Sequence, residues 1–385
     1  MVDYGAWIAG IYEHPERDLP NTSMTQIHAE VAIGALRDAG LTLADVDGYA
    51  CGTNSPGFGA LSMPDYLGIK PTWVDTTETG GSSYQVYVGH AAAAIAAGKC
   101  NVVLITLAGR PRQLPGGGFR RWTDAPEYPF EDSYGVSVPA LYGLAARRHM
   151  YEFGTTSEQL AMVKVSAAHH AQYNPRAFLR KAVTVDDVLA SPMVADPLHR
   201  DDCCVITDGG GAVVVVSSDI AKSLDRHCVK VLGQGEYVKH ADLGRLDLTY
   251  TGAAVSGPKA FEEAGVTIDD VDYASIYDSF TITVIETIED LGFCEKGKGG
   301  PFAMEGNLMA PHGKLPFNTD GGGLCNNHPG NRGGMTKVIE AVRQLRDEAL
   351  PEVQVPNCEI ALAHGTGGSI GTRMGSSTII LGRGD

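Results

Sequence analysis

Residues 35–47 read ALRDAGLTLADVD, and residues 260–272 read AFEEAGVTIDDVD. Residue n and residue n + 225 are identical at Ala35/Ala260, Ala39/Ala264, Gly40/Gly265, Thr42/Thr267, Asp45/Asp270, Val46/Val271 and Asp47/Asp272. Each copy implies a helix that stops at glycine, a turn capped by threonine, and a strand that starts after the DVD triplet. The implied strands cover 48–51 and 273–277. The correspondence continues at lower similarity. Thr76-Thr77-Glu78-Thr79-Gly80-Gly81 leads into an alanine-rich helix over 82–97 and a strand over 101–107. Asn318-Thr319-Asp320-Gly321-Gly322 leads towards a helix near 336–348 and a strand over 359–363. A repeat near half the chain length means two like units rather than a solenoid.

The expected architecture is therefore α/β, with two similar βαβαβ-type halves at 1–220 and 221–385. A segment of about 112–200, rich in aromatics, proline and arginine and poor in strand character, reads as an inserted loop domain of the first half. It is followed by a buried strand at 211–217. The glycine-rich stretch 364–371 reads as the turn of a final hairpin.

Composition bounds the function. The 385 residues carry a net charge of −16, which argues against a nucleic-acid or anionic-membrane surface as the main partner. No apolar run reaches membrane-spanning length; stretches such as Val102 to Ala108 have the length of buried strands. The start, MVDYGAWIAG, lacks a basic region and a long apolar core, so no secretory signal is expected. The eight cysteines form no CxxC pair. No metal site is expected, and the thiols read as reduced, mostly buried small hydrophobes of a cytoplasmic protein. No GxGxxG fingerprint in a strand–helix unit and no GxxxxGK[ST] loop occurs, so a dinucleotide or P-loop site is not supported.

Helix starts rich in glycine leave backbone N–H groups unpaired and carry partial positive charge. They suit the stabilisation of a developing oxyanion. Gly80-Gly81-Ser82-Ser83 is such a start, and the repeat supplies a related one in the second half.

Four stretches then carry a family resemblance. They are Glu78 to Tyr84 with the tail Ala94-Ile95-Ala96-Ala97-Gly98; Asp202-Cys203-Cys204 with Thr207 to Val213; Tyr277-Asp278-Ser279-Phe280 with Leu291 to Glu295; and Asn318 to Gly330, followed by His364-Gly365-Thr366-Gly367-Gly368. In this order the chain resembles the thiolase superfamily, specifically the sterol-carrier-protein-type thiolases and lipid-transfer-protein-like aldolases, over nearly its whole length. The resemblance implies the thiolase fold, with central helices between layered mixed sheets. It places the nucleophilic cysteine slot at Gly81, within one residue, and no cysteine lies there. Ser82 or Ser83 remains as a replacement nucleophile. The family's Asn-Glu-Ala-Phe or His-Asp-Cys-Phe box stands here as Tyr277-Asp278-Ser279-Phe280. The histidine of the Gly-His-Pro motif stands as His328, and Ala363 or His364 takes the place of the second cysteine.

A site with thioester-polarising donors and a base, but no nucleophile, suits a CoA-thioester retro-aldolase. Tyr277 is the expected base or relay, His328 the thioester holder or acid/base partner, His364 a second acid/base, and Asp278 an orienting group. Gly81, Ser82 and Gly367 are the expected oxyanion or thioester contacts. A free tyrosine has a pKa near 10, so a base role requires a neighbouring cation or donor that lowers it. The resemblance implies no cofactor beyond the CoA of an acyl-CoA substrate such as a steroid side chain. It also implies a homodimer, and a small OB-fold/zinc-ribbon partner protein in a heterotetramer. A thiolase-like acyltransferase with an unusual nucleophile and a non-catalytic subunit of a complex stay open. His169 and His170 read as surface residues. Arg110, Arg112, Arg120 and Arg121 read as a solvated loop or as a contact for CoA phosphates.

Overall fold

The computed structural model describes residues 2–53, 55–114, 126–135, 137–241, 245–330 and 333–384. The first half runs β1 (Ala6–Glu13), α1 (Met24–Ala39), β2 (Gly48–Cys51), α2 (Met63–Leu67), β3 (Trp73–Asp75), α3 (Ser83–Ala96) and β4 (Val102–Gly109). An insertion then carries α4 (Tyr128–Glu131), α5 (Val138–Phe153), α6 (Ser157–Ala171), α7 (Val185–Leu189) and the short pair β5 (Met193–Ala195) and β6 (Leu198–His199). β7 (Gly209–Ser217) and α8 (Ser218–Ser223) follow. The second half runs β8 (Val229–Lys239), α9 (Ala253–Ala264), β9 (Tyr273–Ile276), α10 (Thr281–Leu291), α11 (Gly299–Met304), α12 (Gly334–Leu345), β10 (Ile360–Gly368) and β11 (Met374–Gly382).

The repeat is a real structural unit. Gly40 and Gly265 end α1 and α9 in the left-handed region, at φ 72 and 71. Thr42 and Asp45 form a capping box, and Thr267 and Asp270 form the same one. The last Asp of each DVD triplet then caps the start of the neighbouring strand in the sheet, β4 in the first half and β10 in the second. Asp47 accepts from the backbone N–H of Asn101 and Val102, and Asp272 from those of Glu359 and Ile360. Four of the seven identities are thus turn and capping chemistry, and the other three, Ala35/Ala260, Ala39/Ala264 and Val46/Val271, are core residues of the same helix–strand packing. The halves differ at β3, whose counterpart is reduced to one bridge between Ala274 and Phe317.

Nine strands form one mixed sheet in the order β3-β2-β4-β7-β1-β8-β11-β10-β9. The halves join where Trp7 and Ile8 pair with Lys230 and Val229. Three apolar cores give five layers. α1 covers one half of the sheet, α9 and α10 cover the other, and α3 and α12 lie in the middle against inward residues of both halves. Central helices between layers of strands are the arrangement expected of the thiolase fold.

Two expectations need correction. The stretch 364–371 is not all turn, because β10 continues as paired strand to Gly368. His170 is not a surface residue: it is fully buried, its Nε2 accepts from the Ala310 N–H at 2.9 Å, and burial pushes its pKa down to about 3. The alanine-rich α6 that carries it packs against α10, α11 and the 322–326 turn, so this face is core.

Candidate active site

The two glycine-rich helix starts meet. Gly80–Ser82 form a 3₁₀ turn into α3, and Gly333 caps α12. A Cβ on Gly334 would lie 1.9 Å from the Gly81 carbonyl oxygen, and a Cβ on Gly367 would lie 2.7 Å from Gly81 N. Only glycine permits this approach of three backbones. The N-termini of two helices, α3 and α12, are thereby brought side by side, with their partial positive charges adjacent.

Tyr277 stands there. It follows β9, and its ring covers Gly81: a Cβ at 81 would fall 2.5 Å from Tyr277 Cε2 and 2.4 Å from the Thr366 carbonyl oxygen. The volume that a side chain at position 81 would need is thus filled by the phenol ring. Ser82 and Ser83 do not replace a nucleophile. The Ser82 hydroxyl donates to the Thr79 carbonyl oxygen at 2.7 Å, and Ser83 Oγ accepts from Thr79 N–H at 2.9 Å. Both hydroxyls are tied to Thr79, so Ser82 has only its backbone to offer the site.

The Tyr277 hydroxyl lies 2.8 Å from His328 Nε2, with the rings edge to face. Both side chains are buried. Burial pushes the phenol well above its ordinary pKa, and the nearby Cys204 and Tyr142 add to this. Burial pulls the imidazole down to about 4, opposed by Asp278 and helped by Lys337. The pair rests neutral, with the phenol protonated. The lowering expected of a tyrosine base is absent because burial outweighs the one donor that lowers the phenol, the Gly333 backbone N–H. What the pair can do is relay: Tyr277 accepts a proton as its own passes to His328.

His328 is held by its main chain. Its N–H donates to Thr207 Oγ1 at 2.8 Å, Thr207 in turn donates to Asn327 Oδ1, and Asn327 Nδ2 donates to Glu13 Oε1 at 3.0 Å. Just before it, residues Gly322–Asn326 form a π-helical turn, a feature often found at functional sites. Asp278 pins that turn, accepting from the N–H of Gly323 at 2.8 Å and of Leu324 at 3.0 Å.

His364 does not join them. It sits on β10 beside Ile276, and its Nδ1 lies 2.8 Å from Thr378 Oγ1, which is 3.0 Å from Ser256 of α9. Side chains alternate across a strand. Ala361 and Ala363 face the central helices, whereas Leu362 and His364 face the outer layer with α9. Tyr273 faces the central core, so Tyr277, four residues on, lies on the other side of the sheet from His364. Burial lowers His364 to about 3, and its Nε2 has no partner.

Arg110 donates to the carbonyls of Leu19 and Pro20, and Arg112 to that of Ile206, so these two tie loops together. Arg120 and Arg121 lie outside the described residues. Of the eight cysteines, five are buried; Cys203, Cys204 and Cys294 are partly so. Sequence reasoning missed Lys337 and Thr207. A lysine in the first turn of a helix as apolar as TKVIEAV was the available signal for a buried partner, because a buried ammonium requires one.

The Thiolase C-terminal domain-like family matches residues 235–383. An acetyl-CoA acetyltransferase of Methanothermobacter thermautotrophicus is 34% identical over 95% of this chain and 97% of its own. A steroid side-chain-cleaving aldolase of Thermomonospora curvata is 31% identical over 89% of this chain and 90% of its own.

This chain belongs to the thiolase superfamily.

Within the superfamily, a solved structure described as an Ltp2-ChsH2(DUF35) aldolase superposes with a TM-score of 0.90 at 30% identity, covering 100% of this chain and 99% of that one. Human mitochondrial 3-ketoacyl-CoA thiolase shares the fold, with a TM-score of 0.72 at 14% identity, over 99% of both chains. In this superfamily member Gly81 stands at the slot that the sequence reading assigned to the nucleophile. No helix among the described residues is long and apolar enough to cross a membrane.

Proposed function

We propose that the protein is a CoA-thioester retro-aldolase, cleaving a β-hydroxyacyl-CoA to a ketone or aldehyde and a shorter acyl-CoA. The observation that carries this reading is the Tyr277 ring lying on Gly81 with its hydroxyl on His328. The position of an acyl-accepting nucleophile is closed, and a proton relay occupies it.

In the reaction the substrate's β-hydroxyl gives its proton to Tyr277 while the Tyr277 proton passes to His328. The Cα–Cβ electrons move onto the thioester, leaving the β-carbon as a carbonyl. The resulting enolate oxygen is stabilised by backbone N–H groups at the Gly81 turn and at Gly367 of β10 and by the two helix N-termini. The proton returns to Cα. No electrons are gained or lost, so the step needs no cofactor beyond the CoA carried by the substrate. Asp278 acts by fixing the 322–326 turn. His364 has no role at the reacting atoms, and Ser82 contributes backbone alone.

The aldolase relative and the aldolase structure support this chemistry, and their names support a steroid side chain as the acyl class. The acetyltransferase relative favours a second reading, acyl transfer to free CoA. The two separate experimentally: a tertiary β-hydroxyacyl-CoA is cleaved without added CoA by an aldolase, whereas a thiolase needs a β-ketoacyl-CoA and CoA. Cleavage of the second substrate alone would overturn our reading.

We further propose a cytoplasmic homodimer within a heterotetramer that includes a small OB-fold/zinc-ribbon partner. Among the described residues β3 ends the sheet, and Phe58 and Leu61, near β2 and α2, are 82% and 72% exposed, which suits pairing with a second copy. The DUF35 component of the neighbouring structure supports the partner. Size-exclusion with light scattering, alone and with a candidate partner, tests both.

A further inference from the structure

Lys337 is among the most deeply buried cations of the protein, 1% exposed, in the first turn of α12. Its Nζ lies 2.9 Å from Asp278 Oδ1, and that carboxylate is fully buried. A buried ion pair is a poor device for stability, since desolvation costs several kcal/mol per ion. Its placement is informative. Asp278 directly follows Tyr277 and binds the turn that presents His328. A Cβ at Gly323 would lie 3.1 Å from Asp278 Oδ1 and 3.3 Å from His328 Cδ2, so carboxylate and imidazole are near neighbours.

We propose that Lys337 is a positioning residue for the Tyr277–His328 pair: its buried ammonium holds Asp278 against the 322–326 turn and cancels the carboxylate's charge beside the imidazole. A relay from Tyr277 requires His328 uncharged. An uncompensated carboxylate beside it would favour the imidazolium and block the transfer. The charged and titratable groups facing this centre are few. Asp278 and Lys337 act on His328; Asp278, Asp320 and Glu340 face Lys337; Cys204, Tyr142 and Asp278 face Tyr277, with the Gly333 N–H as a neutral donor. Burial opposes the Lys337 charge, but Asp278 and Asp320 more than offset it and hold the ammonium above its ordinary pKa. Lys337 therefore stays a fixed cation through the neutral range.

The inference rests on the relay proposed above, so its test reads His328 directly as well as turnover. In full-length protein carrying ¹³C-labelled histidine, the His328 resonance is assigned by its loss in His328→Gln. Its midpoint is then followed with pH in wild type, Lys337→Met and Asp278→Asn, alongside the acid limb of kcat/KM. Removing the cation should raise the midpoint by about 1 unit or more, a tenfold or larger change in proton affinity, and removing the anion should lower it. The acid limb should move with it. Melting curves identify a variant that fails to fold, and Asp278→Asn, with its opposite sign, then carries the test alone. A midpoint unchanged in a folded variant overturns the assignment of Lys337. A midpoint that moves in a protein without aldolase activity spares Lys337 but sinks the functional reading.

Discussion

Replacing Tyr277 by Phe removes one oxygen and leaves the ring that covers Gly81. The structural effect is bounded. One neutral hydrogen bond of 2.8 Å is lost, contributing about 1 kcal/mol, and His328 Nε2 is left buried without a partner at a cost of about 1–3 kcal/mol. A large five-layered fold tolerates that. The chemical effect is larger. A positioned acid/base contributes about 10²–10⁴-fold, or roughly 3–5 kcal/mol of barrier. Tyr277→Phe should therefore lose at least a hundredfold in kcat on a tertiary β-hydroxyacyl-CoA, with KM changed little and the melting curve still cooperative. The assay is ketone release by mass spectrometry with the acyl-CoA product quantified in parallel. Turnover within threefold of wild type would refute the relay, since His328 is the side chain bonded to the phenol oxygen and its other partner, the Gly333 N–H, is a backbone donor that takes up no proton.

Three further outcomes follow from the same geometry. His328→Asn should lose about as much as Tyr277→Phe, and the double variant little more than either, because the two act as one unit; additive losses measured in a double-mutant cycle would separate them. Gly81→Ala places a methyl 2.4 Å from the Thr366 carbonyl oxygen and 2.5 Å from the Tyr277 ring, so it should displace the phenol and abolish turnover, and a fully active Gly81→Ala enzyme would disprove the closed slot. His364→Gln should keep kcat within about threefold. Because the folded-state pKa of His364 is depressed to about 3 from 6.5, its contribution to stability is present above the unfolded value and is lost as pH falls below about 6.5. The variant should therefore lose less stability between pH 7 and 5 than wild type, by roughly 2 kcal/mol in denaturant melts. An identical pH response in both proteins would contradict this.

The fold was legible because the repeat consists of turn-specifying residues. Gly40/Gly265, Thr42/Thr267 and Asp47/Asp272 act locally, through positive φ, capping boxes and strand-start caps, so their spacing could be read without the tertiary structure. Tyr277 and His328 could be singled out as candidates because each lies in a motif, His328 within a frame of glycine and proline, and the structure brings the two side chains together. His364 was misplaced because its motif position did not say on which face of the sheet it points. The pleat decides that, and a one-residue shift reverses it. The state of Tyr277 was also illegible. It depends on how deeply the ring is buried and on which groups, Cys204, Tyr142 and the Gly333 N–H among them, packing brings to it, neither of which is a local property. The burial of His170 was illegible for the same reason, since its partner is set by packing.

The most direct measurement is product analysis in deuterium oxide with a tertiary β-hydroxyacyl-CoA and no free CoA. The account predicts equimolar ketone and shorter acyl-CoA, one deuterium at the product's Cα, and no mass added to the protein. Release that appears only when CoA is supplied, with an acyl group trapped on the chain, would contradict it.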